Sequence, residues 1–281
     1  MERIENKRFG EERALYGARD LCVLHCAFAG EEDGESALKE SCGVSAVHCD
    51  FSLRYPFWHN ERLTVEDCEM RDTCRAPLWY SENVSIKHSR LYGTKAVREC
   101  RDVRIDGCEI RSEEFGWFSH GVQIRDSRAE GAYFLLKCRD VDLENVTFFG
   151  KYSFQYVENG RLTGCTLDTK DAFWHAKNVT VTDSDLRGEY IGWYSENLTL
   201  IRCRISGTQP FCYCKNLRLI DCEMYDADFA FEKSEVEATV HTHVVSIKNP
   251  LSGSIFVPSV GELITDDPES RGSVFIGKEN T

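Results

Sequence analysis

Apolar and polar residues alternate in short runs that recur along the chain with a period of 19 residues. In nearly every copy, columns 3 and 5 of the repeat are apolar and column 4 is polar, as in the segment Leu198-Thr199-Leu200. This spacing is typical of a strand with one buried face. Numbered from 1 to 19, the copies of the repeat begin at Arg19, Cys42, Glu61, Glu82, Arg101, His120, Arg139, Glu158, Lys177, Glu196 and Lys215.

Residues suited to corners occupy fixed places in the repeat. Column 2 is Asn or Asp in eight copies, and these residues tolerate the left-handed conformation of a sharp turn. Column 12 is Gly in six copies, which marks a second corner. Column 8 holds small residues, with Cys in seven copies and Ser in three. The pattern leaves no room for a helix and predicts an all-β fold, a single-stranded right-handed parallel β-helix of about eleven coils.

A leucine-rich repeat is the main alternative fold, because the segment from Leu198 to Ile205 reads L-x-L-x-x-C-x-I. Those repeats need a further Leu three residues earlier, where this chain has Ser195. They are also longer and contain a helical segment, whereas this repeat continues with Gly corners and aromatic residues. We therefore favour the β-helix, with residues 1–18 as an N-terminal cap, 19–234 as the solenoid and 235–281 as a C-terminal cap.

Composition and charge limit the cellular compartments and the binding partners that we expect for this chain. The chain has fourteen cysteines, and half of them recur in column 8, which indicates a stack of buried thiols rather than a disulfide framework. We find no secretory leader and no run of apolar residues long enough for a membrane span, so we expect a cytoplasmic protein. The net charge of −13 disfavours nucleic acid and anionic membranes as partners.

The Asn corners, the ladders of small residues and the segments Gly34–Glu40 and Arg54–His59 carry a resemblance to a known family. In these features the chain resembles the pectin-lyase-like superfamily, within it an uncharacterised bacterial branch described only as a domain of unknown function. The resemblance covers residues 1–281 and implies the β-helix, but it implies no activity. The superfamily includes polysaccharide lyases and hydrolases, whose acidic calcium clusters and catalytic Arg or Asp pairs match no motif of this chain. Fold alone is weak evidence for function.

Aromatic and titratable residues concentrate in columns 17 and 18. All five tryptophans of the chain fall in column 17, namely Trp58, Trp79, Trp117, Trp174 and Trp193. Alternation from the small column 19 would turn column 17 inward and column 18 outward, whereas Lys39, Arg98 and Gln155 in column 17 argue against burial. The tryptophans therefore either pack against a bend or line an exposed groove suited to saccharide rings.

Residues of these two columns are the candidate ligand-binding and catalytic groups. The ligand-binding candidates are Lys39, Trp58, Trp79, Arg98, Tyr156, His175 and Tyr194. The catalytic candidates Glu40, His59, Tyr80 and Glu99 occupy column 18 of four successive coils, where neighbours are about 4.8 Å apart. Two carboxylates in line with an imidazole and a phenol could perform general acid–base catalysis. A surface ladder of opposite charges is the alternative interpretation.

Column 7 holds a candidate metal site. His25, His48 and Asp67 lie there in successive coils, followed by His88. Two imidazoles and a carboxylate could bind zinc or another divalent ion. Polar corner residues that face solvent would give the same pattern. We predict no other cofactor, because the chain has no Gly-rich phosphate loop and no nucleophile elbow.

Two functions are compatible with this sequence. In the first, the aromatic face binds or processes an oligosaccharide or another small molecule, and an enzyme of this kind would be a lyase, hydrolase or isomerase. In the second, the protein is a non-enzymatic scaffold that binds another protein or forms oligomers through its sheet faces or caps. We favour the first because Trp, Tyr and His gather with carboxylates in the first coils.

Overall fold

The computed structural model describes residues 2–30 and 35–277, and Met1, residues 31–34 and residues 278–281 lie outside this range. Gly34, named above for the family resemblance, is among the latter. The described residues form thirty strands and no helix. The fold is an all-β parallel β-solenoid of about fourteen turns, so the predicted fold class is confirmed. The chain divides into two compact units, Met1–Asp142 and Leu143–Thr281.

The strands of the first unit are β1 (Glu2–Glu5), β2 (Arg8–Phe9), β3 (Leu21–Leu24), β4 (Ala27–Phe28), β5 (Cys42–Val47), β6 (Asp50–Phe51), β7 (Glu61–Glu66), β8 (Glu69–Met70), β9 (Leu78–Trp79), β10 (Glu82–Lys87), β11 (Arg90–Leu91), β12 (Val97–Arg98), β13 (Arg101–Asp106), β14 (Glu109–Arg111), β15 (His120–Arg125) and β16 (Arg128–Ala132). The boundary between the units falls within β17 (Arg139–Glu144).

The strands of the second unit are β18 (Thr147–Lys151), β19 (Glu158–Thr163), β20 (Thr166–Lys170), β21 (Lys177–Thr182), β22 (Asp185–Arg187), β23 (Glu196–Ile201), β24 (Arg204–Ser206), β25 (Leu217–Tyr225), β26 (Glu235–Val240), β27 (Val244–Lys248), β28 (Ser252–Val257), β29 (Val260–Ile264) and β30 (Ser273–Ile276).

In the first unit, two parallel sheets carry the repeat. One sheet contains β1, β3, β5, β7, β10, β13 and β15. The other contains β2, β4, β6, β8, β11, β14 and β16. Val84 pairs with Val103 and Ile86 with Ile105, so columns 3 and 5 stack on themselves in register. All four side chains are buried, which confirms the predicted inward face of these strands.

The second unit repeats this arrangement. Its first sheet contains β19, β21, β23, β25, β26, β28 and β30, and its second contains β18, β20, β22, β24 and part of β25. The two short strands β27 and β29 form a further parallel pair. Val179 pairs with Leu198 and Val181 with Leu200, again in register and buried.

The predicted number of coils, eleven, is too low. Strand pairing continues through both terminal segments, because β1 pairs with β3 at one end and β26, β28 and β30 pair in sequence at the other. The step is still 19 residues from Glu2 to Leu21, but Glu235 pairs with Ser252 across a shorter coil of 17 residues. Backbone hydrogen bonds between strands continue the stack of coils even where the repeat is not evident in the sequence. Whether these segments act as caps stays a prediction.

Corners of left-handed backbone join the strands. The Asn residues of column 2 have the conformation that the sequence predicted, with φ values of 53° at Asn178 and 55° at Asn197. Column 7 has the same conformation, as at His48 with φ of 51°. At the Gly corner of column 12, a Cβ on Gly207 would lie 2.0 Å from the carbonyl oxygen of Gly188. The coils therefore approach too closely there for any side chain.

Small side chains stack inside the coils in columns 8 and 19. In column 8, the backbone N–H of Cys68 donates to Ser89 Oγ (3.0 Å), and that of Cys108 donates to Ser127 Oγ (3.0 Å). All fourteen cysteines are free thiols and thirteen are buried, which matches the predicted thiol stack. Burial raises the pKa of the column 19 thiol Cys138 to about 12 and that of Cys214 to about 11, so both stay protonated at neutral pH. None of the described segments forms a helix that could cross a membrane.

Candidate functional site

Turns on the third side of each coil carry columns 14 to 18. In one coil of the second unit, Tyr152, Phe154 and Tyr156 all have left-handed backbone, with φ of 59°, 58° and 56°. Phe154 is buried, the side chain of Gln155 is half-buried, and Tyr156 is exposed. In this coil columns 17 and 18 therefore both face outward and column 16 faces inward, whereas Cys212 of column 17 is buried three coils further on. Strand alternation, which would have buried column 17, does not apply because a left-handed residue follows it.

Most residues of column 17 carry a side-chain N–H donor. Its tryptophans, together with Gln155, reach across to the carbonyl oxygen of column 14 in the next coil. The bonds are Trp58 Nε1 to Ala76 O (2.7 Å), Trp117 Nε1 to Tyr133 O (2.7 Å), Gln155 Nε2 to Asp171 O (3.2 Å), Trp174 Nε1 to Tyr190 O (2.9 Å) and Trp193 Nε1 to Gln209 O (2.7 Å). These indole groups link successive coils, so their N–H groups are not available to a ligand.

Trp79 is an exception, because its indole N–H donates to the catalytic candidate Glu99 and not to a backbone carbonyl. Its Nε1 donates to Glu99 Oε1 at 3.3 Å, and the guanidinium of Arg98 donates to the same oxygen at 3.3 Å. Arg98 also lies over three rings, 4.8 Å from the centroid of Trp79, 5.4 Å from that of Trp117 and 5.6 Å from that of Phe118. The predicted patch of the first unit is thus held together by its own charges.

The remaining candidates of the first unit lie beside this cluster. The imidazole of His59 stacks on the ring of Tyr80, with centroids 5.0 Å apart, and both side chains are exposed. Lys39 Nζ lies 5.5 Å above the ring of Trp58. The exposed Glu40 donates its backbone N–H to the Trp58 carbonyl at 2.9 Å. The structure brings His59 and Tyr80 together, and the acid–base role of this group stays a prediction.

The metal candidates of column 7 lie at a corner. The rings of His25 and His48 stack 4.9 Å apart and within 4° of parallel, and His48 Nδ1 lies 3.9 Å from Asp67 Oδ2. Imidazole lone pairs lie in the ring plane, so parallel rings direct them side by side rather than to one point. In residues 2–30 and 35–277, no group of three or more His, Cys, Asp and Glu is arranged to hold a metal ion. A metal role for these residues stays a prediction, beside the alternative interpretation of polar corner residues.

In the second unit, column 18 forms a continuous row of stacked rings, which we name the aromatic ladder: Tyr156, His175, Tyr194 and Tyr213. The centroids of consecutive rings are 4.9, 5.0 and 4.9 Å apart, with interplanar angles of 14°, 10° and 10°. Tyr156 and Tyr194 are each 44% exposed. Three of these residues were sequence candidates, and Tyr213, the fourth, could have been chosen from its column position alone.

Other aromatic rings support the ladder. Trp193 lies edge-on to Tyr194 and Tyr213, with centroids 6.2 and 5.5 Å away and interplanar angles of 76° and 70°. Trp193 is itself fixed by its bond to the Gln209 carbonyl. Burial raises the pKa of the Tyr213 phenol, which therefore stays a hydrogen-bond donor at neutral pH. The ladder is a rigid row whose hydroxyl and imidazole groups lie along one surface.

Charges of both signs flank the ladder. Column 1 of the same coils alternates in sign, through Glu158, Lys177, Glu196 and Lys215. Lys177 Nζ lies 3.5 Å from Glu196 Oε2. In column 13, Lys170 Nζ lies 2.8 Å from Glu189 Oε2. The surface around the ladder therefore has no row of like charges.

Residues 2–275 match the sequence pattern of a family described as "Protein of unknown function (DUF3737)". The chain belongs to this family. The match spans nearly the whole sequence and confirms the resemblance to an uncharacterised branch of β-helix proteins. No curated protein is similar enough to this member of the family to count as a relative.

Solved structures of other proteins resemble this family member at low identity. The A-module of mannuronan C-5 epimerase AlgE4 from Azotobacter vinelandii is 8% identical, with a TM-score of 0.33, and the match covers 98% of this chain and 89% of that one. The surface adhesin PfbA of Streptococcus pneumoniae is 8% identical, with a TM-score of 0.40, and the match covers 92% and 85%. Likenesses of this size carry no argument about activity or ligand.

Proposed function

We propose that this protein binds a carbohydrate chain non-covalently along the aromatic ladder of its second unit. The observation that carries the proposal is the row of four stacked, outward-facing rings at nearly equal spacing. Each ring stacks on its neighbours, so its outer edge and its polar tip are the parts that meet solvent. The result is an apolar strip bordered by phenol and imidazole groups, about 15 Å long at the strand spacing.

Such a strip suits a saccharide for two reasons. Phenol hydroxyls both donate and accept hydrogen bonds, as sugar hydroxyls do, while the ring edges offer apolar contact to C–H groups. The stack also fixes the ring conformations before any ligand arrives. Preorganised side chains lose little conformational entropy on binding, which favours affinity.

The proposal is tested by calorimetric titration of the full chain with a panel of oligosaccharides. We expect Tyr194→Ala to weaken binding about 3- to 10-fold, because a lost aromatic contact is worth about 0.5–1.5 kcal/mol. Tyr16→Ala is the matched control, since Tyr16 is 49% exposed and lies in the first unit. Absence of binding by every oligosaccharide, or equal losses in both variants, would contradict the proposal.

A second candidate function, protein binding, is favoured by one separate observation. Phe256 of β28 and Phe275 of β30 are exposed and stack 4.7 Å apart on the outer face of their sheet. Exposed apolar groups of this kind are typical of interaction surfaces. A change of Phe275 to Ser that reduced self-association in light scattering would support it, and an unchanged molar mass would not.

A cytoplasmic location also remains part of the proposal. What supports it is the set of fourteen free thiols, which a reducing compartment would preserve. Thiol titration of the protein from its native source would test it, and the finding of disulfides would count against it.

A further inference from the structure

We infer that the ligand of the aromatic ladder is an uncharged, linear saccharide, rather than a chain of uronate or sulfated sugars. This inference rests on the function proposed above and names its ligand class. It is carried by the charges around the ladder and by the geometry of the ladder itself.

A polyanion would need a continuous row of cations beside its path. Column 1, which lies two positions past the ladder in sequence, has instead an alternation of Glu158, Lys177, Glu196 and Lys215. The carboxylate of Glu196 lies 3.5 Å from the Lys177 ammonium, so a ligand anion at Lys177 would face a fixed anion too. An alternating row attracts and repels a uniformly charged chain at successive sugars, with little net gain.

Two further lysines of these coils are held in the same way. Lys170 is paired with Glu189 at 2.8 Å. Lys233, in the coil after Tyr213, is paired with Asp267 at 3.1 Å. These pairings raise the pKa of both lysines, which shows how closely the carboxylates neutralise them. The chain as a whole carries a net charge of −13, which adds long-range repulsion of polyanions.

Most polar groups of the ladder are hydroxyls. Three of its four residues are tyrosines, whose phenols both donate hydrogen bonds to hydroxyl groups and accept them. The rings form a single row with spacings of 4.9 to 5.0 Å, so an occupant that contacts all of them runs along the row. A branched glycan could reach only part of it. A linear chain of neutral sugars fits both features.

Competition between matched ligands tests this inference. The probes are a neutral β-1,4-linked gluco-oligosaccharide and an oligo-uronate of the same length and linkage, titrated into the full chain at neutral pH. We expect the neutral ligand to bind at least tenfold more tightly, with an affinity that changes less than twofold between low and high salt. Screening acts on charges alone, so salt sensitivity is the signature of a charged ligand.

Two sets of variants test the ligand class and the location of the binding site separately. In Glu189→Gln/Glu196→Gln, the flanking lysines lose their partners, and we expect oligo-uronate binding to strengthen several-fold while neutral binding stays unchanged. Glu223→Gln, on β25, is the control carboxylate and should change neither affinity. The ligand class is wrong if the oligo-uronate binds more tightly to the unmodified chain and Tyr194→Ala still weakens it, and the ladder function then survives. If neither ligand binds, the proposed function fails, and this inference fails with it.

Discussion

The third side of the coils carries different chemistry in the two units. In the first unit, column 18 mixes charge and aromatic character, and Glu99 bonds to the Trp79 indole and to Arg98. In the second unit, column 18 is a run of stacked rings from Tyr156 to Tyr213. The mixed column uses its polar groups among its own residues, whereas the uniform column presents a row of rings of which Tyr156 and Tyr194 are each 44% exposed. The uniform column is therefore the better candidate for an external ligand.

The number of tryptophans suggests an exposed binding groove, but most of their indole N–H groups form hydrogen bonds within the fold. They occur in column 17 of both units, and most of them donate to a backbone carbonyl of the next coil. Gln155, which shares the N–H donor but not the aromatic ring, makes the same bond. The shared property of these five residues is thus an N–H donor at the right reach, and their indole or amide groups serve to link successive coils.

The largest expected effect contrasts the inward and outward columns of the second unit. Phe173 of column 16 is fully buried between coils, and its change to Ala should lower the free energy of unfolding by about 3–5 kcal/mol. Tyr194→Ala, one coil further on, should cost less, about 1–2 kcal/mol, because 44% of the residue is already exposed to solvent. Urea unfolding monitored by fluorescence measures both. Equal losses would mean that column 18 is part of the core.

Buried thiols make stability depend on alkaline pH. Burial raises the pKa of Cys138 in the first unit to about 12 and that of Cys214 in the second to about 11, against a usual thiol pKa near 9. In the unfolded chain these thiols ionise first, so folding stability is fully present below about pH 9 and is lost as pH rises towards the folded values. Each thiol should contribute about 1.4 kcal/mol per pH unit in that window.

Serine variants isolate this contribution, because Ser already occupies column 19 at Ser119 and Ser195. Cys138→Ser should flatten the fall in unfolding free energy up to about pH 12, and Cys214→Ser only up to about pH 11. Chemical unfolding at a series of pH values provides the measurement. An unchanged slope in either variant would show that its thiol does not resist ionisation in the folded protein.

Removal of an indole N–H donor should lower the free energy of unfolding more in the second unit than in the first. Trp193→Phe leaves the Gln209 carbonyl with only the weak thiol donor of Cys212 at 3.6 Å and should cost about 1–2 kcal/mol of unfolding free energy beyond the lost ring area. Trp79→Phe should cost less than about 1 kcal/mol for the same loss, because Glu99 retains its bond to Arg98. The comparison is made by urea unfolding, with Trp193→Gln as a control that restores a donor. A cost at Trp79 as large as at Trp193 would remove the distinction.

The smallest effect concerns ligand affinity. Tyr194→Ala should weaken saccharide binding about 3- to 10-fold, whereas Tyr80→Ala in the first unit should leave it unchanged, although 46% of Tyr80 is exposed. Titration calorimetry with the same oligosaccharide gives both values. A greater loss at Tyr80 would move the site to the first unit and reverse the comparison.

Much of the fold could be predicted because a solenoid repeats its local physics. Apolar columns 3 and 5, Asn in column 2 and Gly in column 12 each reflect a requirement met once per coil, so the period appears in the sequence itself. The number of coils could not be obtained in this way. Beyond Ser234 one coil shortens to 17 residues, so β26, β28 and β30 continue the stack out of step with the 19-residue repeat.

The candidate site, like the fold, could be predicted only in part from the sequence. The sequence by itself determined that columns 17 and 18 gather aromatic residues and that the cysteines form an internal stack. Only the tertiary structure decided that both columns face outward, because the left-handed backbone at Tyr156 and Tyr194, with φ of 56° and 58°, breaks strand alternation. Tyrosine has no intrinsic preference for that conformation, so its own sequence gives no sign of it. The conformation is imposed by neighbouring coils, whose hydrogen bonds and stacked rings outweigh the local cost.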